Sequence, residues 1–182
     1  MKEKGLHPNN KFNKGYNFDE LIKKNPHLKE FVSKNKYQNF SIDFSNPKAV
    51  KELNKALLFS YDKIDVWDFP DDNLCPPIPG RLDYILHLRD LLSSEENIHI
   101  LDIGTGATCI YPLLGVSEFN WNFTAIDIDL DSLDSAQDII DDNDLDVNIK
   151  LRQQFDEQHI LKGVLEEDDS FSATMCNPPF YK

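Results

Sequence analysis

No stretch of the 182 residues approaches the ~18 consecutive apolar positions that a membrane-spanning helix needs. The opening residues, Met1-Lys2-Glu3-Lys4-Gly5-Leu6, have no apolar run behind their lysines, so they do not form a secretory signal. Only three cysteines occur, Cys75, Cys109 and Cys176, and they lie far apart. That spacing fits neither a disulfide framework nor a Cys-x-x-Cys metal knuckle, and it predicts a reducing, cytoplasmic setting. The five histidines are scattered without ligand spacing, so no metal site is expected; His87 and His99 are expected to be packing or surface residues. Basic charge is in deficit: 19 Lys+Arg face 32 Asp+Glu, a formal net charge of -13. Taken whole, such a chain would repel nucleic acid.

What is present alters that picture. Residues 1–37 carry nine lysines against four acids, a balance of +5, while the remainder carries ten basic and 28 acidic residues, or −18. The first 37 residues can therefore act as an electrostatic arm on an acidic body. Lys11 and Lys14 are interleaved with Phe12, Tyr16 and Phe18, so cations can meet phosphates while rings stack on unpaired bases. Hydrophobic residues at 40% and aromatics at 11% suffice for a packed core, which excludes wholesale disorder. The length fits one domain, or a core with an appendage, at about 100–200 residues per domain.

The pattern along the chain divides in two. Residues 1–17 hold Pro8, Asn9, Asn10, Asn13, Gly15 and Asn17 and favour turns. Asp19 can cap a short helix with Leu21 and Ile22, interrupted at Asn25-Pro26. Asn46-Pro47 starts a second helix, on which Val50, Leu53 and Leu57 recur at helical spacing. Residues 68–80 are too rich in proline for a regular element, and a helix follows from Arg81 to Leu92. From residue 98, strands and helices alternate: strands at 98–103, 122–127, 147–151 and 171–176, helices from about Ala107 to Gly115 and from Asp131 to Ile140. Acidic residues 141–146 and 166–169 are expected to be solvated loops. The alternation implies a parallel, doubly wound sheet with right-handed crossovers, whose ligands bind beyond the carboxyl ends of the strands. The expected divisions are residues 1–37 as a basic arm, 38–95 as a helical region with the proline-rich loop, and 96–182 as a Rossmann-like core.

Asp102-Ile-Gly104-Thr-Gly106 sits where the first core strand turns into a helix. Two glycines let the backbone approach a ligand closely, although alone they also suit a tight turn without one. A dinucleotide-binding turn wants Gly or Ala where Cys109 stands, which counts against a pyrophosphate. The next strand ends in Asp127, placed to accept hydrogen bonds from ribose hydroxyls. Turn and acid together suit a nucleoside cofactor without a phosphate bridge, and S-adenosylmethionine is the obvious one.

Asn177-Pro178-Pro179-Phe180 follows directly on an apolar strand. Two prolines stiffen the backbone and remove two amide donors, leaving a corner rich in acceptors. The Asn177 side-chain oxygen and a neighbouring carbonyl can hold the two hydrogens of an exocyclic amine, so that its lone pair faces a methyl on a sulfonium. Phe180 offers a face on which a displaced base stacks.

These segments resemble the bacterial 23S ribosomal RNA adenine-1618 N(6)-methyltransferase family and its eukaryotic relatives that methylate U6 spliceosomal RNA. The likeness is carried by Gly5-Leu-His-Pro-Asn-Asn, Asp43-Phe-Ser-Asn-Pro-Lys-Ala-Val, Leu74-Cys-Pro-Pro-Ile-Pro-Gly-Arg81-Leu-Asp-Tyr, the stretch from Ile100 through Asp102-Ile-Gly-Thr-Gly-Ala to Gly115, and Cys176-Asn-Pro-Pro-Phe180. It implies an α/β class I methyltransferase fold with an N-terminal helical extension, S-adenosylmethionine as cofactor, and 23S rRNA or a pre-ribosomal particle as partner. Arg81 is then expected at the cofactor carboxylate, with Gly104 and Gly106 at the methionine part, Asp127 at the ribose and Asp102 among the cofactor-binding residues. Asn177, Pro178, Pro179 and Phe180 would hold the target base, and Lys11 and Lys14 would contact RNA. The family continues past the tetrapeptide with further strands of a seven-stranded sheet, whereas this chain stops at Tyr181-Lys182. The expectation is a core truncated after its fourth strand, a fragment poorly soluble or inactive alone, with an apolar strand edge exposed. Two other functions fit the same residues: a protein-glutamine N-methyltransferase, whose amide nitrogen also suits the corner, and a fragment that only binds cofactor or RNA.

Overall fold

The computed structural model describes residues 5–178; Pro179 and Phe180 lie outside the described residues. Residues 5–17 run through turns, as their asparagines and Pro8 dictate. Helix α1 spans Phe18–Lys24. Its cap is Asn17, not Asp19: the Asn17 side chain accepts the Glu20 N–H, which moves Asp19 into the first turn, where its charge faces the helix N-terminus. Asn25 ends this helix and caps the tight turn Pro26–Phe31. A small antiparallel hairpin follows, β1 (Ser33–Lys34) with β2 (Phe40–Ser41). Strands of two residues are too short to leave a periodic signature in the sequence.

Helix α2 (Pro47–Leu58) starts at Asn46, whose oxygen accepts the Lys48 N–H at 3.0 Å. Helix α3 covers Ile78–Leu91 and so begins three residues before Arg81, inside the stretch expected to be loop. Pro77 cannot cap it with a side chain. The buried Asn54 of α2 does so from outside, accepting the Ile78 N–H at 2.9 Å. A cap supplied by another helix is invisible to a local reading.

The core sheet contains β3 (His99–Ile103), β4 (Asn122–Asp127), β5 (Ile149–Gln153) and β6 (Ala173–Cys176). All neighbours are parallel, in the order β5-β4-β3-β6. Helices α4 (Ile110–Phe119) and α5 (Leu130–Asp142) make the crossovers. Gly115 does not end α4 as the sequence suggested; it lies inside the helix, where a β-carbon would come within 2.4 Å of the Phe123 ring. Glycine is there to let α4 lie close on the sheet.

Moving outward from β3 to β5 in right-handed steps puts α4 and α5 on one sheet face. That face packs with α2, α3 and residues from the N-terminal part in one apolar cluster that includes Leu28, Leu57, Trp67, Ile85, Leu113 and Phe123. The return to β6 crosses the opposite face as residues 154–172, which form no helix. There Val164 and Phe171 cover Leu101 and Ile126. The expected double winding therefore has a helical layer on one face and an irregular one on the other. The acidic residues 166–169 are not simply solvated: Asp169 takes a paired hydrogen bond from Arg152 at 2.6 and 2.9 Å, which holds its carboxyl down at about 2. That pair pins the crossing segment to β5.

Candidate functional site

The chain runs outward from β3 to β5 and then returns to β6 on the other side of β3. The strand order reverses between β3 and β6, and crevices that take ligands open at such points. The two sequence motifs emerge on either side of it. Ile103, before the glycine turn, is the register partner of Cys176, before Asn177. The glycine turn and the Asn-Pro corner thus share one rim, one strand spacing apart, about 4.8 Å.

Gly104 and Gly106 have φ of 76° and 64°, which side-chain-bearing residues rarely adopt. The space a β-carbon would fill at either is open. The turn is fastened from β4: the Ile126 carbonyl accepts the Gly104 N–H at 2.8 Å and the Thr105 N–H at 3.1 Å. Cys109, where a pyrophosphate-binding turn would want Gly, also has a positive φ, 48°, and its thiol is fully buried. Asp127 faces this turn. One of its oxygens accepts the Gly106 N–H at 2.8 Å, and the other accepts those of Ile128 and Asp129 at 2.8 and 3.1 Å. Each carboxylate oxygen has two lone pairs, so three of the four acceptor sites are filled and one, on Oδ2, is left for a ribose hydroxyl.

Asp102 is 1% exposed and its Oδ2 atom has no hydrogen-bond partner. Burial pushes its carboxyl up to about 7; a hydrogen bond from Thr105 opposes this and the charge of Asp127 adds to it. Arg81, in the first turn of α3, donates from Nη1 to the Tyr111 hydroxyl at 3.2 Å, while its buried Nε has no partner. The Arg81 guanidinium carbon lies 5.7 Å from the Tyr111 ring centroid, and burial raises the Tyr111 hydroxyl pKa while the charge of Arg81 lowers it and that of Asp102 raises it. An unpaired buried donor and an unpaired buried acceptor each cost about 1–3 kcal/mol, and a ligand bearing both carboxylate and ammonium would satisfy them together. The amino-acid end of S-adenosylmethionine has that pair, so the residues fit the cofactor.

The rim continues along β4 and β5. Ile128 and Leu130 follow Asp127 and are exposed, and Phe155, just past β5, is 83% exposed. The Gln154 N–H donates to the Asp127 carbonyl at 2.8 Å and ties these segments together. Asn177 is half-buried and Pro178 exposed at the β6 tip. The sequence reading passed over Tyr111, Ile128 and Phe155. Tyr111 lies inside the family-like stretch after the glycines; an apolar residue directly after a strand-end acid was the available signal for Ile128.

Lys11 and Lys14 are placed differently from each other. Lys14 is exposed. The Lys11 ammonium sits 3.0 Å from the Tyr61 ring centroid and 3.6 Å from Glu118, with its side chain 37% exposed. Lys11 is therefore engaged within the fold, and Phe12 and Tyr16 pack against the main apolar cluster rather than standing ready for bases. A cleft of about 950 Å3 lies between α2, α5 and residues 66–71 and contains none of the expected site residues. Its Lys51 and Lys55 are already paired with Asp68 and Asp71. Among the described residues, none of the buried polar atoms that lack a partner belongs to that cleft. His99 bonds Thr124 at 3.0 Å within the sheet, and His87 is exposed.

A doubly connected parallel sheet with an open glycine turn, a strand-end acid and an Asn-Pro corner on one rim defines a class I methyltransferase fold. Solved structures agree. The METTL16 methyltransferase domain superposes with a TM-score of 0.86 at 32% identity, covering 97% of this chain and 71% of that one. The N-terminal domain of human METTL16 in complex with SAH gives 0.84 at 33%, covering 96% and 70%. The human METTL16 catalytic domain in complex with the MAT2A 3'UTR hairpin 1 gives 0.85 at 34%, covering 97% and 60%. The chain belongs to the RNA methyltransferase family, whose profile it matches over residues 1–182. It is 48% identical to ribosomal RNA large subunit methyltransferase F of Pseudomonas fluorescens Pf0-1 across 99% of its length. With the same enzyme of Vibrio parahaemolyticus the identity is 47% across 98%. The chain spans about half the length of these relatives, 55% and 50%.

Proposed function

We propose that this chain is the cofactor-binding and base-holding part of an S-adenosylmethionine-dependent methyltransferase acting on the N(6) amine of an adenine in 23S ribosomal RNA, free or in an assembling particle. The observation that carries the reading is the adjacency of the Asn177 corner and the glycine turn across the β3–β6 pair. Family membership favours RNA over a glutamine side chain as acceptor. A cytoplasmic setting goes with this substrate and with the three free cysteines.

S-adenosylmethionine, when bound, supplies an electrophilic methyl group on a sulfonium. The chain's own residues do the positioning. Arg81 holds the carboxylate and Asp102 the ammonium; Gly104 and Gly106 let the backbone approach, Asp127 takes the ribose, and Ile128 and Phe155 offer apolar surface to the base. The Asn177 oxygen accepts from the target amine, and Phe180 stacks on the extruded adenine. An amine acceptor needs no strong base, so orientation carries most of the rate effect. Lys14, exposed on the N-terminal segment, meets RNA phosphates, and Lys11 contributes positive potential from its seat beside Glu118.

The test is methyl transfer from labelled S-adenosylmethionine to unmodified 23S rRNA by the complete protein of which this chain is the proposed part and by its Asn177→Ala variant. Loss of turnover with unchanged S-adenosylhomocysteine affinity is expected. Equal turnover in the variant, or transfer to a glutamine-bearing peptide instead of RNA, would overturn the reading.

A further inference from the structure

The first turn of α3 carries Arg81 but has little rigidity of its own. Its cap position is Pro77, which brings no side-chain acceptor, and Gly80 stands beside Arg81 with no side chain to pack. Glycine in a helix is less stable than alanine because its backbone loses more freedom on folding. Something outside the helix must therefore set where the Arg81 guanidinium points.

Asn54 of α2 holds the Ile78 N–H at the start of this turn, and residues 7–13 hold it on both sides of Arg81. Asn10, 3% exposed, donates from Nδ2 to the Pro79 carbonyl at 2.9 Å and lies 3.4 Å from Asp83 Oδ1. The backbone N–H of His7 donates to the same Asp83 oxygen. Pro79 and Asp83 bracket Arg81 two residues on either side. His7, 6% exposed, places Nε2 2.9 Å from Asp90 Oδ2 further along α3. Asn13 closes the segment on itself by donating to the His7 carbonyl at 2.6 Å. Lys11 anchors the other side, over Tyr61 and beside Glu118 of α4. The segment thus joins α3, which brings Arg81, to α4, which brings the Tyr111 that Arg81 touches.

The cluster of His7, His87 and Asp90 has ligand atoms within 4.8 Å of one another and invites comparison with a metal site. The tautomer argues otherwise. His7 Nδ1 accepts the Asn9 N–H at 3.1 Å, so the ring proton sits on Nε2 and points at Asp90. The nitrogen facing the cluster is a donor, and the group is a latch.

We propose that His7 and Asn10 are positioning residues: the 7–13 segment is a strap that holds the first turn of α3 so that Arg81 meets the carboxylate of the cofactor. This rests on the assignment of Arg81 to that carboxylate. The experiment is calorimetric titration of the purified protein with S-adenosylhomocysteine, and with 5'-methylthioadenosine, which has the same nucleoside but no amino-acid end. Arg81→Ala should weaken S-adenosylhomocysteine at least about tenfold and leave methylthioadenosine unchanged. Asn10→Ala should weaken S-adenosylhomocysteine about two- to tenfold, as one lost hydrogen bond does, again sparing methylthioadenosine. In the Arg81→Ala background Asn10→Ala should add nothing. His7→Gln reads the other end of the strap should Asn10→Ala fold poorly. Equal weakening of both ligands, or an additive double variant, would mean general loosening and overturn the strap. No effect of the strap variants beside a strong effect of Arg81→Ala also overturns it while sparing the Arg81 assignment. No effect of Arg81→Ala removes that assignment itself.

Discussion

Asp102 offers a quantitative test because the fold buries an acid without satisfying it. In the unfolded chain its carboxyl titrates near the ordinary value; in the fold, burial raises it to about 7. Between these values the folded state holds a proton that the unfolded state has released. Stability therefore falls as pH rises from about 4 to about 7, by about 1.4 kcal/mol per pH unit, and is constant above. The full effect is roughly 4 kcal/mol, a large share of an ordinary domain's stability. Asp102→Asn keeps shape and hydrogen-bonding capacity and removes the titration. Urea unfolding of the ligand-free protein and of the variant, at half-unit steps from pH 4.5 to 8, should show the variant gaining on the parent up to about pH 7. The gain should then level off. A stability difference that does not change with pH would refute the claim that this buried acid lacks a partner. The same acid should meet an ammonium when the cofactor binds, which favours its ionised form. S-adenosylhomocysteine binding near pH 6.5 should then release protons, seen as a heat that depends on the buffer, and Asp102→Asn should abolish the release.

Asp127→Ala removes the acceptor of three backbone N–H groups and should weaken S-adenosylhomocysteine binding by about 1–3 kcal/mol, measured by calorimetry. Gly115→Ala forces a methyl into the Phe123 ring and should cost about 1–3 kcal/mol in urea unfolding, although alanine is the better helix former. Lys14→Glu should raise the RNA dissociation constant and flatten its salt dependence by more than Lys11→Glu does, because Lys11 is already paired with Glu118; equal changes would mean that Lys11 leaves Tyr61 when RNA binds.

The alternation of strands and helices after residue 98 was legible because each element is long enough to show its period, and the glycine turn and Asn177 corner were legible because their residue types are chemically unusual. Their adjacency was expected from the chemistry they share, whereas the strand order that produces it, with β6 on the far side of β3, was not legible. The start of α3 was hidden because its cap, Asn54, lies 24 residues away on another helix. The N-terminal segment was legible in charge but not in packing. Its lysines and aromatics suggested an electrostatic arm, and His7, Asn10 and Lys11 find partners on α3 and α4 that a segmental charge balance does not see. Tyr111 gained meaning only once Arg81 was beside it.

The most direct test of the account is nucleoside mass spectrometry of 23S rRNA incubated with the complete protein of which this chain is the proposed part and S-adenosylmethionine carrying a deuterated methyl group. One labelled N(6)-methyladenosine per molecule, lost in Asn177→Ala, is the predicted result. Label on another base or position, or none from a protein that binds the cofactor, would contradict it.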